Sequence, residues 1–125
     1  MADDLDAYLN ALPDRITDQL SNVLHGQATL LSDAQKAGLR ALEQPPEETG
    51  KLETSCVVVR GSSDLEFVVQ AGGEITTGDD GYDRALAFEF GTSRQTARPF
   101  FFPTYAAHRD QIQTTIENAV SEAIK

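Results

Sequence analysis

The chain is poor in the residues that most often build sites. Cys56 is its single cysteine, which excludes an intramolecular disulfide. It stands beside Val57, Val58 and Val59 and reads as a small buried apolar residue. His25 and His108 are the only histidines. Neither has a ligand-type residue three or four positions on, so the ligand set of a structural zinc site is missing. Lys and Arg number 10 against 20 acids, for a net charge of −10. Binding nucleic acid by counterion release needs clustered bases, and this chain mostly repels phosphate. No apolar run approaches the ~20 residues of a membrane span. The opening Met1-Ala2-Asp3-Asp4 has neither the basic start nor the apolar centre of a secretory signal, so the expected place of residence is the cytoplasm. No Gly-x-Ser-x-Gly elbow and no phosphate-binding loop occur, and no residue pattern argues for catalysis.

What is present is consistent with one domain, and 125 residues are enough to bury a core. The expected class is α+β: a long N-terminal helical region over 1–44, an antiparallel sheet of about three to four strands over 45–91, a loop over 92–103 and an amphipathic helix over 104–125 packed on one sheet face. Leu5, Leu9, Leu12, Ile16, Leu20 and Val23 or Leu24 recur every three or four residues as one apolar stripe. Asp3 or Asp4 suits the start of this helix. Pro13 and Gly26 are candidate breaks. Ser32 with Gln35 resembles a capping box, so one helix or two remains open at this level. Pro45-Pro46 ends the region.

Leu52 to Arg60 is β-branched, Gly61-Ser62-Ser63-Asp64 reads as a hairpin turn, and Leu65 to Ala71 alternates as a strand does. Glu74–Thr77 is a candidate short strand inside a glycine-rich acidic loop. Asp79-Asp80-Gly81-Tyr82-Asp83 lacks the ligand spacing of an EF-hand, and reads as a solvated loop. Arg84 to Phe90 is expected to be the last strand, with Leu86, Phe88 and Phe90 on the core face and Glu89 opposite. His108 is expected to pack near the stripe Ile112, Ile116, Ala119, Val120 and Ile124, and His25 to sit at a helix end before Gly26.

Charge is uneven. Residues 1–50 carry −6, residues 51–90 carry −5, and residues 91–125 carry +1. In that last third stand Phe100-Phe101-Phe102, bracketed by Pro99 and Pro103, with Arg94 and Arg98 upstream. Three consecutive aromatics cannot all face one core, so at least one is expected to be exposed or to meet a partner. Aromatics and Arg are the favoured anchors of protein interfaces.

Two motifs carry a resemblance. One is Thr49-Gly50-Lys51-Leu52 with Ser55, after a proline turn that follows a long helix. The other is Phe88-Glu89-Phe90-Gly91-Thr92-Ser93, then Ala97-Arg98-Pro99-Phe100 and Pro103 before the last helix. Together, over roughly residues 30–125, they resemble the small head–tail joining proteins of long-tailed phages, including the lambda Z-like tail-completion proteins and relatives in gene transfer agents. Glu53 stands where that family often has a base, and Phe101-Phe102 where it often has Leu-Arg.

The resemblance implies a non-enzymatic structural virion protein without cofactor or metal. It implies a ring, by the family's habit a hexamer, at the head-proximal end of the tail. Its partners would be other copies of itself, the tail-tube protein and a neck or stopper protein, with DNA passing through unbound. The protein would start in the host cytoplasm and end in the virion. Glu89, Gly91, Thr92, Arg94, Arg98, Pro99, Phe100, Phe101 and Phe102 are then the expected subunit or tail contacts. Glu89, Glu74, Asp79 and Asp80 are candidates to line a DNA channel, where a negative wall would keep phosphates from sticking. A ring subunit needs two different surfaces that meet head to tail, and the acidic first ninety residues against the mildly basic final third would supply them. The alternative class is a cytoplasmic ligand-binding or enzymatic α+β domain, which would require a pocket with convergent polar groups.

Overall fold

A computed structural model describes residues 14–42, 50–81, 83–93 and 96–124. The expectations placed on Asp3, Asp4, Leu5, Leu9, Leu12, Pro13, Pro45, Pro46, Thr49, Tyr82 and Arg94 lie outside the described residues. Helix α1 spans Asp14–Leu42, α2 Lys51–Ser55, β1 Val57–Arg60, β2 Phe67–Gln70, a 3-10 turn Glu74–Thr76, α3 Arg84–Phe90 and α4 Phe102–Ala123.

The class is α+β, with a long N-terminal helix, an antiparallel sheet and a C-terminal helix. Among the described residues the sheet has two strands, not three or four. Three segments explain the difference. Lys51–Ser55 turns as a helix before the valines begin. Glu74–Thr76 is a 3-10 turn, and Thr77 makes only an isolated bridge to Asp83. Arg84–Phe90 is a helix rather than a strand.

Alternation of Leu86, Phe88 and Phe90 argued for that strand, but the ends decide otherwise. The Asp83 carboxylate accepts the Ala85 N–H at 2.9 Å, which caps α3. Gly91 closes it at φ 78, donating its N–H to Ala87 at 2.8 Å; few side chains tolerate that backbone. Within the helix the buried residues are Ala85, Ala87, Phe88 and Glu89, and 85, 88 and 89 share one helical face. Leu86 and Phe90 are exposed.

Helix α1 is continuous through Gly26 and Ser32. Ser32 and Gln35 are buried mid-helix positions, not a cap. His25 likewise sits mid-helix, its ring 5.2 Å from that of Phe67. Helix α1 covers the hairpin, and α4 lies mainly along α1 rather than on a sheet face. Strand pairing is Val57 with Gln70, Val58 with Val69, Val59 with Val68 and Arg60 with Phe67. The core joins Leu39 of α1, Cys56, Phe88 of α3 and Phe100, with Leu42, Leu52, Ala71 and Phe101 packed around them. Cys56 is buried.

Candidate functional site

The second motif folds into a clamp between α3 and the entry of α4. Glu89 is 7 % exposed. Its Oε1 accepts the N–H groups of Phe100 at 2.9 Å and Phe101 at 2.8 Å, and its Oε2 accepts that of Phe102 at 3.2 Å. The first N–H groups of a helix have no partner inside it, and a carboxylate there also suits the helix dipole. Glu89 therefore holds the polypeptide as it enters α4. It does not present a carboxylate to solvent, so the expectation that it lines a channel or meets a partner gives way to an internal role.

Arg98 completes the clamp. Its N–H donates to the Phe88 carbonyl at 2.7 Å, and its Nη1 donates to the Leu42 carbonyl at 2.9 Å. The guanidinium lies 4.0 Å from the centre of the Phe88 ring, close enough for a cation–π attraction. It also brings a positive charge to the last turn of α1, where the helix dipole favours one. Gln35 Nε2 donates to the Phe101 carbonyl at 3.0 Å. The clamp thus ties both α3 and α1 to the start of α4.

The three phenylalanines divide as their crowding requires. Phe100 is 2 % exposed and meets Phe88 edge-on at 5.7 Å, so it belongs to the core rather than to a contact surface. Phe101 is half-buried. Phe102 is exposed, and its ring lies 6.1 Å from that of Phe90. Pro99, Thr92 and Ser93 are exposed, and Gly91 and Arg98 are half-buried. Loop 91–99 is therefore pinned at its base, with exposed residues beyond.

The acidic loop sits apart from this clamp in the chain. Glu74, Asp79 and Asp80 are exposed, and Asp80 lies 3.7 Å from Arg84 as an ion pair. Asp83 organises the base of this loop. Its carboxylate accepts the Thr76 hydroxyl at 2.6 Å and the Gly73 N–H at 3.0 Å. Burial pushes its pKa up, but these bonds and the Ala85 N–H outweigh that and hold it below its ordinary value. Among the described residues, no group of three or more His, Cys, Asp or Glu could hold a metal ion. His108 Nδ1 lies 2.9 Å from the Thr104 carbonyl, and the residue is half-buried. Among the described residues, no helix is long and apolar enough to cross a membrane.

Sequence reasoning found the motif but missed what it does. Nothing in residue spacing linked Glu89 to amides more than ten positions on, or Arg98 to the end of α1. It also missed a groove of about 490 Å³ between α1, β2 and α4, walled by residues such as Leu31, Phe67, Val69, Phe101, Tyr105 and Ile112. The chain matches no family model, no curated protein and no solved structure.

Proposed function

We propose that this chain is a structural virion protein. It forms a ring, by family habit a hexamer, at the head-proximal end of a phage or gene-transfer-agent tail, and terminates the tube, joins tail to head, or both. The observation that carries the reading is the Glu-Phe-Gly-Thr and Arg-Pro-Phe pair. Its residues Phe88, Glu89, Arg98 and Phe100 meet in one clamp. A motif whose parts interlock in this way specifies a local architecture, which gives more weight to the likeness than isolated matching letters do. The clamp leaves Thr92, Pro99, Phe90 and Phe102 at the surface, where a neighbouring subunit or the tube can be met. Partners in this reading are other copies of the chain, the tail-tube protein and a neck protein. The exposed acids Glu74, Asp79 and Asp80 would face the passing DNA.

Deletion of the gene in its native setting, followed by imaging of the released particles, tests the proposal. Filled heads separated from tails of normal length are the outcome for a joining role. Free tubes of uncontrolled length are the outcome for a terminator. Normal particles that still deliver DNA would reject both.

A further inference from the structure

The groove between α1, β2 and α4 is apolar apart from a few side chains. Gln35 is 1 % exposed and helps to line it. Its Nε2 is bonded to Phe101, but its Oε1 has no hydrogen-bond partner among the described residues. That oxygen is sealed from solvent, so Gln35 belongs to the floor of the groove and is not a group that an incoming molecule touches.

Unpaired main-chain groups lie at the rim. Gly61 donates its N–H to the Glu66 carbonyl at 2.7 Å, and that bond sets the phase of the β1–β2 ladder. With the observed register, Val59 with Val68 and Val57 with Gln70 exchange the ladder bonds. The N–H and C=O groups of Phe67 and Val69 therefore point away from β1. They make no other hydrogen bond among the described residues. Leu65, Glu66, Phe67 and Val69 all line the groove, so this free edge borders it. The edge reads Phe-Val-Val-Gln, with none of the charge, proline or bulge by which proteins protect an edge strand.

We propose that the groove is the docking site for an extended peptide segment of a partner protein, which adds to β2 as a third strand. Its main chain pairs with Phe67 and Val69. Its alternate apolar side chains fill the space above Tyr105, Ile112 and Ile116 of α4. Strand addition of this kind takes affinity from main-chain bonds and specificity from alternate side chains. A purely lipophilic molecule would fill the groove but leave the edge unpaired. Pairing with a second copy would instead show as Phe67 and Val69 amides protected in the free chain before any peptide is added. Among the described residues, Glu66 is the only charged one lining the groove, and the chain carries −10 overall. The segment is therefore expected to have Lys or Arg at its flanks. The inference stands independently of the ring reading: the particle phenotype and the peptide experiment fail separately.

The test uses the purified full chain and a displayed library of short random peptides as the probe. Selection is expected to enrich sequences with apolar residues at alternate positions and a flanking base. On binding, the Phe67 and Val69 amides should slow in hydrogen exchange, and N-methylation of alternate residues in the selected peptide should weaken it at least tenfold. Ile112→Asp should abolish binding; if that variant does not fold, the N-methylated peptide carries the test. No enrichment, enrichment at helical spacing, undiminished binding of the N-methylated peptide, or Phe67 and Val69 amides already protected in the free chain would each overturn the proposal. Binding of a fluorescent naphthalene sulfonate in the groove with no peptide selected would make it a small-molecule site instead.

Discussion

Glu89 acts through hydrogen bonds to backbone, and its removal has a readable cost. Glu89→Ala leaves three N–H groups in a largely dry corner without an acceptor. A loss of at least about 2 kcal/mol is expected in urea unfolding, since each buried unpaired donor costs ~1–3 kcal/mol. Glu89→Gln keeps an acceptor and should recover part of it. Asp83 gives a pH signature. Its folded pKa lies below the ordinary 3.8, so its contribution is complete above that ordinary value and disappears as pH falls through the folded one. Asp83→Asn should therefore lower stability at neutral pH. The gap to the parent chain should shrink as the solution is taken below pH 3.8, followed by thermal unfolding across an acid series. If the gap stays constant, the carboxylate is not the source.

At the scale of elements, the helices were more legible than the sheet. The stripe through Ile16, Leu20 and Leu24 marked α1, and Ile112 and Ile116 marked α4, because a helix repeats its face over many residues. The segment 84–90 was misread because seven residues are too few to separate two periods. There, the flanking Asp83 and Gly91 held the deciding signal. The contact aromatics were partly legible. Crowding of Phe100, Phe101 and Phe102 required unequal burial, but which one goes inside depends on Phe88 and α1, which sequence spacing does not show. Arg98, expected as a contact residue, is a strut between α3 and α1 inside the chain. Arg98→Ala should cost about 1–2 kcal/mol, from the lost ring contact and hydrogen bond, and should raise proteolysis at loop 91–99. Arg98→Lys should restore little, because an ammonium cannot stack flat on Phe88 while reaching Leu42. Equal stability of Lys and Arg at this position would show that charge alone matters.

For the whole molecule, charge separates the regions. The first ninety residues are strongly acidic and the last third is close to neutral, so head-to-tail association between unlike surfaces would weaken as salt screens it. In the ring reading, replacing Glu74, Asp79 and Asp80 together by Lys should slow DNA exit from assembled particles, because phosphates would then find counterions along the wall. The three side chains are exposed, so the fold should be unchanged by circular dichroism. Delivery at the normal rate by particles carrying the triple variant would remove these residues from the channel.

The clamp has one more consequence, for how this surface can change. Loop 91–99 leaves and returns through two fixed points, the Phe88 carbonyl that takes the Arg98 N–H and the Glu89 carboxylate that takes the Phe100 N–H. Since its ends are already held together, lengthening it costs only the slow logarithm of loop closure, about 0.6 kcal/mol for each doubling. An insert of glycine and serine between Thr92 and Ser93 should therefore leave the melting temperature nearly unaltered. The clamp works as a socket: evolution, or an engineer, can exchange what is displayed there without rebuilding the protein underneath.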